Sequence, residues 1–429
     1  MHKIEAVNSS KDKTGSLYKI VVPFYVYAAV SFLASTVLLF FSSNAFAGHY
    51  FNPQLLAITH IMALGWGTMI ILGASYQLIP VLAESDLYSR PLAFISFMLA
   101  AIGIPLLIHA FYAFQFGIIA KLGAVLVNSA IVIYLINAFA TAVKSKTSSI
   151  NILFVLTAGL WLFATTVVGL LLIWNFTVPL LDKDSLHYLS LHAHIGIVGW
   201  FLMMVIGVGS RLLPMFLISK YEDDKMLCLI YSLINGSLLL FILLFFFSDK
   251  KIYFILPVAG VLSAVLLFFR YCRKIYKARL RKRIDTPTKV SLLAIAMFVI
   301  PIIALSVVII PSTDSETSSI ATVYGFTIFF GWLTSIILGM TFKTLPFIVW
   351  SKVYQLQDEG IGRADPKDLF RENIFKLMGI AYLIGFILFT CGILFHVSWF
   401  LKAGSAFLII AAFLYNSNVF TIISHKRTA

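Results

Sequence analysis

Five histidines lie within or at the ends of long apolar stretches: His60, His109, His192, His194 and His396. Imidazole is the usual neutral nitrogen ligand for haem iron and for copper, and a neutral ligand is cheaper to bury in lipid than a charged one. His192 and His194 are separated by one residue, so on a helix they point about 200° apart. They cannot easily hold one metal together, but they can serve two centres on either side of the same helix. Each histidine also has a plainer account, as a packed, hydrogen-bonded core residue or, for His109 and His396, an interfacial one. His49 and His187 read as outer-loop residues, His2 and His425 as tail residues. The three cysteines, Cys228, Cys272 and Cys391, form no CxxC pair, so neither a zinc knuckle nor covalent haem attachment is supported.

The elements that must carry these histidines are transmembrane helices. The chain has 429 residues, 60% hydrophobic and 12% charged, which is too apolar for a soluble domain of that length. Runs of the ~20 apolar residues needed to cross the bilayer recur throughout. They predict spans near 21–41, 55–80, 92–114, 118–142, 151–174, 190–216, 226–247, 252–269, 290–311, 322–348, 375–396 and 401–423. The first is too long for a cleaved signal peptide and is followed by further spans. The expected fold class is all-α, a single polytopic membrane domain over residues 1–429.

With a cytoplasmic N-terminus, only Lys121, Lys183, Lys250, Lys251 and Lys402 fall in outer loops. Arg211 and Lys343 lie inside the inner ends of spans, and the other 25 of the 32 Lys and Arg fall in inner loops and tails, among them Lys426 and Arg427. That asymmetry fits a bacterial-type inner membrane with both termini cytoplasmic. The net charge of +14 therefore implies the lipid bilayer and no nucleic-acid partner. Its densest part, a 270–289 loop, reads as a topology determinant on anionic lipid, with partner docking as the alternative.

Three segments align without a gap: HIMALGWGTMIILGASYQLIP from His60, HIGIVGWFLMMVIGVGSRLLP from His194 and FTIFFGWLTSIILGMTFKTLP from Phe326. The frame matches Gly65, Gly199 and Gly331; Trp66, Trp200 and Trp332; Gly73, Gly207 and Gly339; and Pro80, Pro214 and Pro346. These segments fall on the second, sixth and tenth spans, which predicts three pseudo-symmetric four-helix repeats at approximately 20–145, 150–275 and 288–425. The small residues allow close helix approach, and each proline suits a helix terminator. Gln77, Arg211 and Lys343 share a column, and the two cations are expected to snorkel from the inner helix ends.

All eighteen Asp and Glu fall in loops or tails by this assignment, which weakens an ion- or proton-coupled transporter. The five histidines instead share a level in the outer half of the membrane, with His60 ~10 Å below the start of its helix and His194 similarly placed. Trp66 and Trp200 are candidates to flank a porphyrin.

Twelve spans in three units, outer-half histidines and the segment HAHIGIVGWFLMMVIGVGSRLLP resemble subunit I of the haem–copper oxidase superfamily, which includes cytochrome oxidases and nitric oxide reductases. The plan is also similar to the NnrS family. The resemblance implies haem b as cofactor, with copper beside it as a further candidate. It implies respiratory electron transfer or the handling of nitric oxide or oxygen, with a quinol or cytochrome as electron donor and other respiratory subunits as partners. The pattern departs from the oxidases in two ways. The His-x-His pair lies on the sixth span, with Tyr324 and Phe326 at the matching positions of the tenth, and the seventh span carries no histidine.

Two arrangements follow. His60 and one of His192 or His194 cap a single haem; or His192 or His194 holds a haem while His60 and His109 stand in for copper ligands. Lys183 and Lys402 are candidates to pair with haem propionates. Whether the protein is an enzyme, as a haem-dependent membrane oxidoreductase, stays open. The rival reading is a cofactor-free permease using the clefts between repeats.

Overall fold

The structure, a computed structural model, describes residues 2–145, 149–309, 314–354 and 365–426. Arg427 and the side chain of His2 lie outside the described residues. Among the described residues, twelve helices are long and apolar enough to cross a membrane: α1 (Leu17–Phe41), α2 (Pro53–Ala83), α3 (Arg90–Tyr112), α4 (Ile118–Ala142), α5 (Ile150–Asn175), α6 (Leu189–Leu217), α7 (Asp224–Phe247), α8 (Lys251–Lys277), α9 (Thr286–Val307), α10 (Ser318–Tyr354), α11 (Glu372–Phe395) and α12 (Ser398–Ile423). Among the described residues the only extended pairing is an isolated bridge between Ser219 and Arg279. The chain is an all-α polytopic membrane protein.

Consecutive helices pack as α3 on α4, α7 on α8 and α11 on α12, while α12 closes back on α1. The most buried helices, α2, α6 and α10, form the centre. Where they meet, Trp66 Nε1 donates to Thr334 Oγ1 (3.1 Å), and Trp200 Nε1 donates to Thr68 Oγ1 (3.1 Å). Each acceptor lies two residues after the tryptophan of a neighbouring helix. The third such position is Leu202, which has no hydroxyl to offer Trp332. Glycine makes the outer helices approach: a Cβ on Gly207 of α6 would sit 2.5 Å from Phe154 Cβ of α5, and one on Gly73 of α2 would sit 2.6 Å from Phe24 Cβ of α1.

Three features differ from the sequence expectations. α8 continues to Lys277, so the first part of the 270–289 basic segment is helix rather than loop. Its Arg and Lys are good helix formers and extend the helix beyond the apolar stretch. α9 breaks at Phe298, just before Pro301, whose ring cannot sit inside an unbroken helix. Pro80 and Pro214 lie one turn before the ends of α2 and α6, which are closed by Glu84 and Ile218 in the left-handed conformation (φ 48° and 52°). Pro346 does not end α10, which runs on to Tyr354.

At the expected inner end, Lys343 Nζ meets Asp285 Oδ2 at 2.6 Å. Asp285 also caps α9, accepting from Thr288 N (3.0 Å) and Thr288 Oγ1 (2.7 Å). Partial burial pushes the Asp285 carboxyl up, but the hydrogen bonds from Lys343 and Thr288 outweigh it and hold it below the ordinary 3.8. The pairing therefore stabilises the fold above the unfolded-state value and is lost as pH falls through the lower folded value. Asp285→Asn is expected to lower the stability at pH 7 by about 1 kcal/mol. Thermal melts of the two proteins should converge as pH falls through the lowered folded-state value of Asp285.

Candidate functional site

The ends of α2 and α6 that carry the histidines are set locally. Asn52 Oδ1 accepts from Gln54 N (2.9 Å), and Pro53 occupies the first turn of α2. His60 follows seven residues later; in α6, His192 and His194 come three and five residues after Leu189. Directly after His60, His194 and Phe326 the central helices widen into π-helical turns, Ile61–Thr68, Ile195–Leu202 and Thr327–Leu333. Such insertions are rare, re-aim side chains and frequently mark functional sites.

All three candidate ligands are oriented by backbone carbonyls. His60 Nδ1 lies 2.7 Å from Leu56 O, and His194 Nδ1 lies 2.7 Å from Ser190 O. His192 Nδ1 reaches across to Thr165 O of α5 at 3.0 Å. A carbonyl only accepts, so Nδ1 carries the proton and Nε2 presents a lone pair. The rings of His60 and His192 lie with centroids 6.1 Å apart and planes 20° apart. Two metal–nitrogen bonds of ~2 Å plus a ring radius at each end come to roughly 6 Å. Phe111 packs on the other side of His60, ring to ring at 4.3 Å. Gly169 of α5 packs against His192: a Cβ there would sit 2.9 Å from His192 Cε1.

The three histidines line one cavity of about 560 Å³ among α2, α4, α5, α6 and α10. Its walls are mostly apolar and its volume is that of a cofactor pocket. Asn128 is a polar exception: its Nδ2 donates to Ala124 O and Thr166 O, while its buried Oδ1 has no partner, an acceptor suited to a bound donor.

Other predicted residues are placed differently. Trp200 lines the cavity, whereas Trp66 stacks on Phe32 (4.7 Å) away from it. His109 is exposed on α3: Phe111, two positions on, takes the inward direction and turns His109 away. His396 ends α11 in the left-handed conformation (φ 55°), exposed, its Nε2 3.5 Å from Ser319 Oγ. The structure thus does not bring His109 beside His60, and among the described residues no three His, Cys, Asp or Glu converge to hold a metal ion. Lys402 caps α1, donating from Nζ to Phe40 O (2.7 Å), and Lys183 is exposed in a loop; neither lines the cavity. His187 lies in the loop before α6 and also lines the cavity.

No family model matches the chain, and no curated protein does. Solved structures do match. One is a haem–copper terminal oxidase, determined as a dimer by cryo-electron microscopy, with a TM-score of 0.68 and 14% sequence identity. The superposition covers 96% of this chain and 84% of that one. The twelve-helix fold is therefore similar to that of this oxidase. At this identity the likeness is one of fold.

Proposed function

We propose that this chain is a haem-binding membrane protein that holds a b-type haem between α2 and α6, with His60 and His192 as axial ligands. The single observation that carries the reading is the pair of imidazoles with centroids 6.1 Å apart, each Nδ1 tied to a carbonyl, on the wall of an apolar cavity. These residues fit the group: two neutral nitrogen donors, an aromatic wall and volume for a porphyrin. When bound, the haem supplies one-electron chemistry. Leu56 O and Thr165 O fix the imidazole orientations, and Phe111 and Trp200 shape the apolar wall. A six-coordinate site of this kind supports respiratory electron transfer, with a quinol or cytochrome as donor. Handling of nitric oxide or oxygen, as in oxidase- or NnrS-like proteins, would require an iron with an open position. The reading calls for haem and not for copper.

Optical spectra of detergent-purified protein, oxidised and dithionite-reduced, test it. A Soret band and a sharp b-type α-band that grows on reduction are expected. Folded protein, made with ample haem supply, that shows no Soret band would overturn the haem reading and leave the cavity to a cofactor-free permease.

A further inference from the structure

The last three turns of α8 have two unlike sides. Phe268, Tyr271, Cys272 and Ile275 are buried against the bundle. At 100° per residue, Leu266, Phe269, Arg270, Arg273 and Lys277 fall together on the opposite side, and all five are exposed. From Lys251 to Arg270 the helix rises ~30 Å, the thickness of the hydrocarbon core. Leu266 and Phe269 therefore end the part of this side that meets acyl chains, and Arg270, Arg273 and Lys277 stand at the level of the headgroups. Other cations at this end of the molecule are answered within the chain. Lys274 Nζ lies 3.7 Å from Asp223 Oδ2; Arg281 Nη2 and Lys343 Nζ lie 3.5 Å and 2.6 Å from Asp285 Oδ2. Arg270, Arg273 and Lys277 make no ion pair or side-chain hydrogen bond among the described residues.

We propose that this stripe is a binding site for an anionic phospholipid, its acyl chains along Leu266 and Phe269 and its phosphate on Arg270, Arg273 and Lys277. The occupant follows from the order of the side chains, apolar and then cationic along the helix, which is the order a phospholipid presents from tail to headgroup. Two guanidinium forks match phosphate oxygens in geometry as well as charge. A zwitterionic lipid brings a cation beside its phosphate, so three unanswered positive charges select a headgroup with net negative charge. A second copy of this chain docked symmetrically by the same side would set like charges against each other. A soluble partner would meet the cations and leave Leu266 and Phe269 unused. The site depends on where these three charges stand, not on the positive balance that orients the chain in the membrane.

The experiment is electron paramagnetic resonance of spin-labelled lipid around the full-length protein in phosphatidylcholine vesicles. Labelled phosphatidylglycerol should show a larger motionally restricted fraction than labelled phosphatidylcholine at the same load, and added salt should narrow the difference. Arg270→Gln, Arg273→Gln and Lys277→Gln combined should lose most of that preference. Lys220→Gln, Lys282→Gln and Arg283→Gln combined remove the same charge from loops and should keep most of it. Arg270→Lys with Arg273→Lys retains the charges and should also keep it, which separates loss of the site from damage to the helix. Equal losses in the two triple variants would overturn the proposal, leaving only a diffuse attraction. Equal restriction of both labels by the unaltered protein would overturn it in favour of a soluble anionic partner.

Discussion

Replacing His60 or His192 by alanine is expected to empty the centre between α2 and α6 while the twelve-helix fold persists. Each imidazole supplies one nitrogen of the pair, and each is oriented by a backbone carbonyl. Outer-shell partners of a metal ligand alone are worth roughly 10–100-fold in affinity. Removal of the ligand itself should exceed ~100-fold, seen as loss of the low-spin spectrum and of haem retained through purification. The fold should tolerate the change, because both rings line open cavity rather than filling close-packed core, where truncation costs ~2–5 kcal/mol. His109→Ala is the control: exposed and turned from the cavity, it should leave the spectrum unchanged. Retention of the low-spin haem in His192→Ala, with its loss in His194→Ala, would reassign the pair to His60 and His194.

What could be read from the sequence depended on the range of the interaction. Twelve spans follow from hydropathy, a local property, and the fold class with them. The ends of α8 and α10 were misjudged because the helices continue past the apolar stretch, where hydropathy no longer reports them. Which way a histidine faces is harder, since a membrane helix apolar on every side has no amphipathic phase to read. His109 is a weaker candidate than His60 in the sequence, with an interfacial reading beside it, and Phe111 takes the inward direction in its place. Lys402 looked free for a propionate, but its partner is the carbonyl of Phe40, 362 residues away in sequence. Tyr324 was visible in the repeat frame from the start, as the residue standing where a histidine was missing. The widened turns after His60, His194 and Phe326 had no sequence signal beyond the shared Gly-Trp pair, because π-helical geometry depends on how the three central helices meet.

Gly169→Val is expected to abolish the His60–His192 centre without touching either ligand. A Cβ at this position would lie 2.9 Å from His192 Cε1 and 3.5 Å from Nδ1, so the ring must move. It cannot move freely, because its Nδ1 is anchored to Thr165 O, one turn earlier on the same helix. Thr165 holds the imidazole while Gly169 leaves room for it. The added methyls of valine force the ring off its carbonyl and out of line with His60, and haem affinity should fall more than tenfold, about 1.4 kcal/mol. Gly169→Ala should do the same to a smaller degree. Alanine also improves a helix by up to ~1 kcal/mol over glycine, so α5 itself should be no less stable. A protein that melts at the same or a higher temperature while losing its low-spin spectrum would show that the glycine serves the position of His192. If Gly169→Val keeps the low-spin spectrum, His192 does not hold the haem in the orientation described, and the pairing across α2 and α6 fails with it.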